Sequence, residues 1–344
     1  MRIALLAPVT WRTPPRRYGP WEQVASHLAE GLVARGHDVT LFATGDSVTQ
    51  ARLEWVVPRP LGEAPVEDPD LEQALHIVHA FRHAGRFDLI HNHLNWPPLL
   101  FAELVETPVV TTLHGAAMLE PAARRAFLRF AQRPYVAISQ AEREAVPELN
   151  YVATVPNGIQ LDQFTFQDRP GAYLLFLARM HPAKGPDLAI EVARRTGRPL
   201  VMAAHIPPDQ QAYFEREIRP KIDGEQIRFV GEADPAARDR LMGGALALLH
   251  LVREPEPFGL TLAEAQACGT PVIGLDRGSV REVVAHGETG FVVSTLDEAC
   301  AAVDQGASLE RAARRRRGER HFTVDRMVEG YLDAYERVLS GVGG

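Results

Sequence analysis

The chain has 344 residues, of which 46% are hydrophobic and 24% charged, with a formal net charge of −7. That length predicts two domains, no run reaches the roughly 18–20 apolar residues of a membrane span, and the acidic balance argues against a general nucleic-acid binder. The two cysteines, Cys268 and Cys300, lack metal-ligand spacing and fit a reducing, cytoplasmic setting. Residues 1–8 read as folded sequence rather than a leader.

Strands and helices alternate nearly throughout, the pattern of parallel sheets covered by helices. In the first half the spacing predicts strands over 2–7, 38–43, 87–91, 109–112, 135–138 and 151–155. Helices are expected over 21–35, 71–83, 121–131 and 140–146. Val24, Leu28, Leu32 and Val33 share one face of the first helix, and Gly36 follows as its stop. The Pro-rich stretch 58–69 reads as a loop. Periodicity lapses after Asn157, and 166–171 reads as the link between domains 1–165 and 172–323.

The alternation then restarts, with strands over 173–178, 200–203, 227–230, 246–251, 272–275 and 291–293. Helices are expected over 187–196, 210–218, 236–242, 262–268, 280–286 and 296–305. A last helix, within the tail 324–344, carries Met327, Val328, Tyr331, Leu332, Tyr335 and Val338 on one broad apolar face. The fold class is therefore α/β, two doubly wound Rossmann-like domains with a ligand cleft beyond the carboxyl ends of their strands.

The segment Glu256-Pro257-Phe258-Gly259-Leu260-Thr261-Leu262-Ala263-Glu264 sets a carboxylate on each side of a strand–loop–helix junction. Free N–H groups at a helix start favour an anion such as a phosphate. Carboxylates beside it can accept hydrogen bonds from sugar hydroxyls. Thr261 to Glu264 also has the spacing of a capping box, in which Glu264 would only return a hydrogen bond to its own helix. His91 and His93 stand on one strand without a third ligand, which is weak support for a metal.

Further segments agree with this one in order and spacing: Gly36-His37-Asp38-Val39, Asp88-Leu89-Ile90-His91, Leu113-His114-Gly115, Val155-Pro156-Asn157-Gly158-Ile159, Arg179 to Lys184-Gly185, Phe229-Val230-Gly231 and His286-Gly287-Glu288-Thr289-Gly290-Phe291. With them the chain resembles, over nearly its whole length, the family 4 glycosyltransferases: retaining enzymes of the GT-B fold that use nucleotide-sugar donors. The resemblance implies a tail helix that packs back on the first domain. It also implies donor contacts from Gly19, Arg179, Lys184, Val230, Glu256, Phe258, Gly259, Leu260, Thr261 and Glu264. Within that set Glu256 would face the transferred sugar, Glu264 the ribose, and Arg179 with Lys184 the departing diphosphate. His114 would contact a sugar hydroxyl, joining Glu256, Arg179 and Lys184 as the catalytic group. Arg17, Tyr18, Trp21 and His93 would line the acceptor side.

The first loop departs from the family, which often has a Gly-Gly pair where this chain has Gly19-Pro20. Proline lacks an N–H, so one backbone donor to phosphate would be absent. Ala203-Ala204-His205 is a second departure, where the family often carries a glycine. No metal is expected, because no acidic metal-ligand cluster appears in the sequence, and no cofactor beyond a nucleotide-diphosphate sugar; UDP-glucose is taken first and GDP-mannose second, though no residue chooses between them. The acceptor would be a small molecule, a glycan or a lipid, with no nucleic acid as partner. Arg124, Arg125, Arg129 and Arg133 read as a solvated face and leave a weak peripheral membrane contact open. Arg311 and Arg314 to Arg317 precede the tail helix without interleaved aromatics. A nucleotide-sugar epimerase or hydrolase and a non-catalytic sugar-nucleotide-binding protein remain as alternatives. A dehydrogenase is discounted, because no Gly-x-Gly-x-x-Gly follows the first strand. The sequence sets no oligomeric state.

Overall fold

The computed structural model describes residues 1–64, 66–306 and 309–341. They form two compact units, Met1–Gly158 with the chain from Val324 onward, and Ile159–Thr323. Residues 166–171 belong to the second unit, where the Gln167 N–H donates to the Cys268 carbonyl at 3.0 Å.

The first unit holds seven parallel strands: β1 Arg2–Leu6, β2 Asp38–Phe42, β3 Arg52–Glu54, β4 Leu89–Asn92, β5 Val109–Thr112, β6 Tyr135–Ala137 and β7 Tyr151–Thr154. Their order is β3-β2-β1-β4-β5-β6-β7. The second holds six: β8 Tyr173–Leu177, β9 Leu200–Ala203, β10 Ile227–Phe229, β11 Ala245–His250, β12 Val272–Leu275 and β13 Gly290–Val293, in the order β10-β9-β8-β11-β12-β13. Central strands such as Leu174-Leu175-Phe176 and Leu246 to Leu249 are buried on both faces. They therefore read as continuous apolar runs rather than as alternation. Strand order reverses beside β1 in one unit and beside β8 in the other. Ligands of open α/β sheets bind at that point, beyond the carboxyl ends of the strands.

The helix Val324–Leu339 belongs to the first unit, as its apolar stripe requires. It packs on the helix Pro20–Ala34 at Gly31, where a Cβ would come within 2.5 Å of Val328 Cγ2. A glycine inside a helix costs about 1 kcal/mol against alanine, and here it admits Val328. Tyr331 and Tyr335 are fully buried.

One local expectation is corrected, and one element appears that the sequence reading did not name. No capping box forms, because Leu260–Ala267 starts at Leu260 with Gly259 as its cap (φ 78°). Thr261 is thus already inside the helix, and Glu264 lies too far along to reach the cap. The arginine run is itself a helix, Arg311–His321, and much of it is not solvated. Arg311 and Arg314 are buried. Arg314 donates to the Gly269 and Leu309 carbonyls at 3.2 and 3.3 Å, and Arg315 to those of Phe164 and Ala267 at 3.0 Å each. These arginines satisfy backbone oxygens at loop and helix ends. Among the described residues no helix is long and apolar enough to cross a membrane.

Candidate active site

In the second unit, β11 ends at His250 and the chain turns through a loop to Glu256. Backbone contacts pin that loop to the turn after β12: the Ser279 N–H donates to the Glu256 carbonyl at 2.8 Å. Gly278 makes this approach possible, since a Cβ there would fall 2.3 Å from the Glu256 oxygen. The carboxylate is buried, with Oε2 at 2.7 Å from Lys184 Nζ and 3.0 Å from His250 Nε2. Burial would raise its pKa. Lys184 and His250 outweigh that effect and hold it at about 2. Glu256 is thus an anion throughout any ordinary pH range.

Lys184 ends the short turn Pro182–Lys184 just beyond β8. Gly185 follows with φ 67°, and a Cβ there would sit 2.1 Å from the Leu251 carbonyl oxygen. The β8 and β11 loops therefore touch backbone to backbone. Arg253 fastens them, with its N–H to the Ala183 carbonyl at 2.7 Å and its guanidinium on Pro182 and Asp187. Arg179 is exposed at the end of β8 and makes no hydrogen bond or ion pair among the described residues. Val230 is 52% exposed and donates its N–H to the Met202 carbonyl. Phe258 is buried against Phe322. Glu264 is buried on the helix Leu260–Ala267 and bonded to Arg238 at 2.8 Å. His205 Nδ1 lies 3.6 Å from Glu232.

In the first unit the β1 loop leads to Gly19, which caps the helix Pro20–Ala34. A Cβ on Gly19 would meet Pro15 at 2.7 Å. Pro20 occupies the first helical position, where a missing N–H leaves no helical bond unmade. Trp21 stacks on His114 with centroids 5.4 Å apart and planes 20° off parallel. Tyr18 turns its ring edge to Trp11, and Arg17 is exposed.

His114 has φ 51°, a conformation side chains other than glycine adopt at a cost, and such strain clusters at functional positions. The Glu142 carboxylate holds the next residue by accepting the Gly115 N–H, and it also accepts the Ile138 N–H at 2.8 Å. Beneath His114 runs a file of side chains. His114 Nε2 is 2.8 Å from His93 Nδ1, His93 Nε2 is 3.2 Å from His91 Nδ1, and that nitrogen is 2.7 Å from the Tyr335 hydroxyl. Burial keeps all three imidazoles neutral, His114 at about 3 and His91 and His93 well below their usual value. Glu22 is also buried. Its Oε1 accepts the Trp11 N–H at 3.1 Å, and burial raises its pKa to about 7.

The structure thus joins Lys184 to Glu256, and Trp21 and His93 to His114. It leaves Arg179, Val230 and Arg17 on the surface. His250, Arg238, Glu142 and Glu22 complete these groups and carried no motif of their own. A histidine ending a buried strand just before the Glu256 loop was the one signal available for His250.

Residues 21–163 match the family model for Glycosyltransferase Family 4, and residues 161–319 that for Glycosyl transferases group 1. The chain belongs to glycosyltransferase family 4. Among relatives of this family 4 glycosyltransferase is the glycogen synthase of Mycobacterium tuberculosis, 27% identical over 91% of this chain and 89% of that protein. The phosphatidyl-myo-inositol mannosyltransferase of Mycobacterium leprae is 29% identical over 88% and 86%. The solved sucrose-phosphate synthase of Thermosynechococcus elongatus shares the fold, with a TM-score of 0.81 at 18% identity over 99% of both chains. The fold is GT-B, and the activity is that of a glycosyltransferase.

Proposed function

We propose that this glycosyltransferase moves a hexose from a nucleotide-diphosphate sugar to an acceptor hydroxyl with retention of anomeric configuration. UDP-glucose is the first donor to test and GDP-mannose the second. The observation that carries the reading is the Lys184–Glu256–His250 group. An anion fixed at about pKa 2 beside a cation suits a reaction that develops positive charge at the anomeric carbon and negative charge on a departing diphosphate. Lys184 and the exposed Arg179 would receive the diphosphate, with the backbone N–H groups of Phe258, Gly259 and Leu260. Glu264 would hold the ribose. Neutral His114, stacked on Trp21, would hydrogen-bond a sugar hydroxyl, with Gly19, Tyr18, Arg17 and His93 around it.

Transfer would be front-face. The acceptor oxygen bonds to the anomeric carbon on the side from which the diphosphate leaves, and a phosphate oxygen takes the acceptor proton. Glu256, held by two partners, acts through charge rather than as a nucleophile. The reading requires no cofactor and no metal for the reaction, and it places the enzyme in the cytoplasm with a small-molecule, glycan or lipid acceptor. The mannosyltransferase among its relatives supports a hexose without choosing the base.

The test is a thermal-shift screen of nucleotide sugars, followed by NMR of the product formed with a panel of acceptors. A ligand at one hundred times its dissociation constant adds about 2.7 kcal/mol of stability, so the donor should stand out. Retained configuration at the anomeric carbon is expected. An inverted product, or a sugar isomerised without any acceptor, would overturn the proposal.

A further inference from the structure

We propose that Glu54, His79 and His83 form a site for a divalent first-row transition-metal ion, zinc in the first instance, at the edge of the first unit's sheet. The site lies outside the catalytic groups described above. Glu54 ends the edge strand β3, His79 lies in the last turn of the helix Pro69–Arg82, and His83 caps that helix. A spacing of four residues puts both imidazoles on one face. One ligand atom from each of the three side chains lies within 4.8 Å of the other two.

A tetrahedral ion with bonds of about 2.0–2.2 Å needs its ligand atoms roughly 3.3–3.6 Å apart. Glu54 Oε2 and His79 Nε2 already stand at 3.3 Å. The His83 ligand atom lies within 4.8 Å of both, and binding an ion would draw it in. Arg86 donates to the other carboxylate oxygen, Oε1, at 2.8 Å. It orients the carboxylate and leaves Oε2 turned to the histidines, the arrangement in which outer partners position a metal ligand. Phe42 packs edge-on against His79 and fixes that ring. Side-chain exposures of 23% for His79 and 18% for Glu54 keep the cluster in contact with solvent, from which a water could serve as fourth ligand. Two imidazoles with one carboxylate select zinc, cobalt, nickel or copper over magnesium and calcium.

The His91–His93–His114 file does not offer the same chemistry. Its nitrogens bond one another in a line, so they do not converge on one point. At Glu54 an ion would tie a three-residue strand, paired among the described residues with β2 alone, to the helix beside it. Its role would be to fasten the sheet edge.

The experiment uses tag-free, chelator-treated protein. Zinc is titrated by calorimetry and cobalt by visible absorption. Expected are one equivalent bound per chain, cobalt bands typical of four or five ligands, and a thermal midpoint raised by zinc but not by magnesium. Losing an outer partner already weakens metal sites roughly 10–100-fold. His83→Asn and Glu54→Gln should therefore each weaken binding by at least about tenfold. Failure to take up one equivalent, or an octahedral cobalt spectrum, overturns the site. So does uptake undiminished in His79→Asn/His83→Asn. If that double variant does not fold, the cobalt spectrum of the unmodified protein decides.

Discussion

The Arg238 guanidinium donates to Glu264 Oε1 at 2.8 Å and leaves Glu264 Oε2 buried with no hydrogen-bond partner among the described residues. One oxygen is committed and one is free to accept, as a ribose hydroxyl would require. Removing one partner of a buried pair strands a charge, at about 3–5 kcal/mol. Arg238 is 27% exposed, so Arg238→Ala should cost less, about 2 kcal/mol, with water screening the remainder. Urea denaturation checks this. Arg238→Ala/Glu264→Gln should recover most of the loss while still failing to bind the nucleotide.

Glu256→Gln keeps shape and removes charge. Transfer should fall about 10²–10³-fold, the scale of removing one preorganised electrostatic group, with nucleotide affinity largely intact. Steady-state rates and calorimetry separate the two. Full activity in this variant would refute the assigned role. The pH signature has a definite sign. A carboxylate whose folded pKa is depressed to about 2 contributes stability above its unfolded pKa, lost as pH falls from about 4.5 toward 2. The variant should lack that loss.

The buried histidines should make the fold acid-sensitive well before Glu256 titrates. His76 is lowered to about 4 and His114 to about 3 by burial, with His91 and His93 also well below normal. Unfolded imidazoles take up protons near pH 6.5, so stability falls as pH drops below that. Glu22 opposes them. Its folded pKa of about 7 makes the native form bind the extra proton, so its contribution declines as pH rises from about 4.5 to 7. Four groups against one favour the histidines. The thermal midpoint should fall from pH 7 to 5, and these groups together should take up roughly three protons on unfolding near pH 5.5. Glu22→Gln should steepen that fall and raise stability at pH 8.

Arg314 is fully buried, and burial lowers its pKa to about 10. Arg314→Met would fill much of the space and leave the Gly269 and Leu309 carbonyls without this donor. An unsatisfied buried acceptor costs about 1–3 kcal/mol. A loss on the order of 3 kcal/mol in chemical denaturation is expected. A change within 0.5 kcal/mol, the range of ordinary surface substitutions, would show that water replaces the guanidinium.

Most of the two sheets was legible, because a parallel strand covered on both faces must be apolar throughout, as Leu246 to Leu249 is. β3 was not, because Arg52-Leu53-Glu54 is short, polar and at an edge. The helix Arg311–His321 was not named, because its arginines give no apolar stripe at helical spacing and are held by carbonyl oxygens that only the packing brings near. Glu256, Lys184, His114 and Trp21 could be named from local motifs. Arg238 reaches Glu264 from 26 residues away, and Glu142 reaches Gly115 from 27. No local pattern announces such a partner, since only the finished packing brings the pair together.

The helix Val324–Leu339 gives the first unit Tyr331 and Tyr335, which bond Thr112 and His91. The ribosome makes that helix only after every residue of the second unit. At about 5–20 residues per second, the nascent first sheet waits on the order of 10–40 s with these two side chains lacking their hydroxyl partners. The unit that begins first is therefore the last to be finished, and its exposed seam is where a chaperone would find this chain during synthesis.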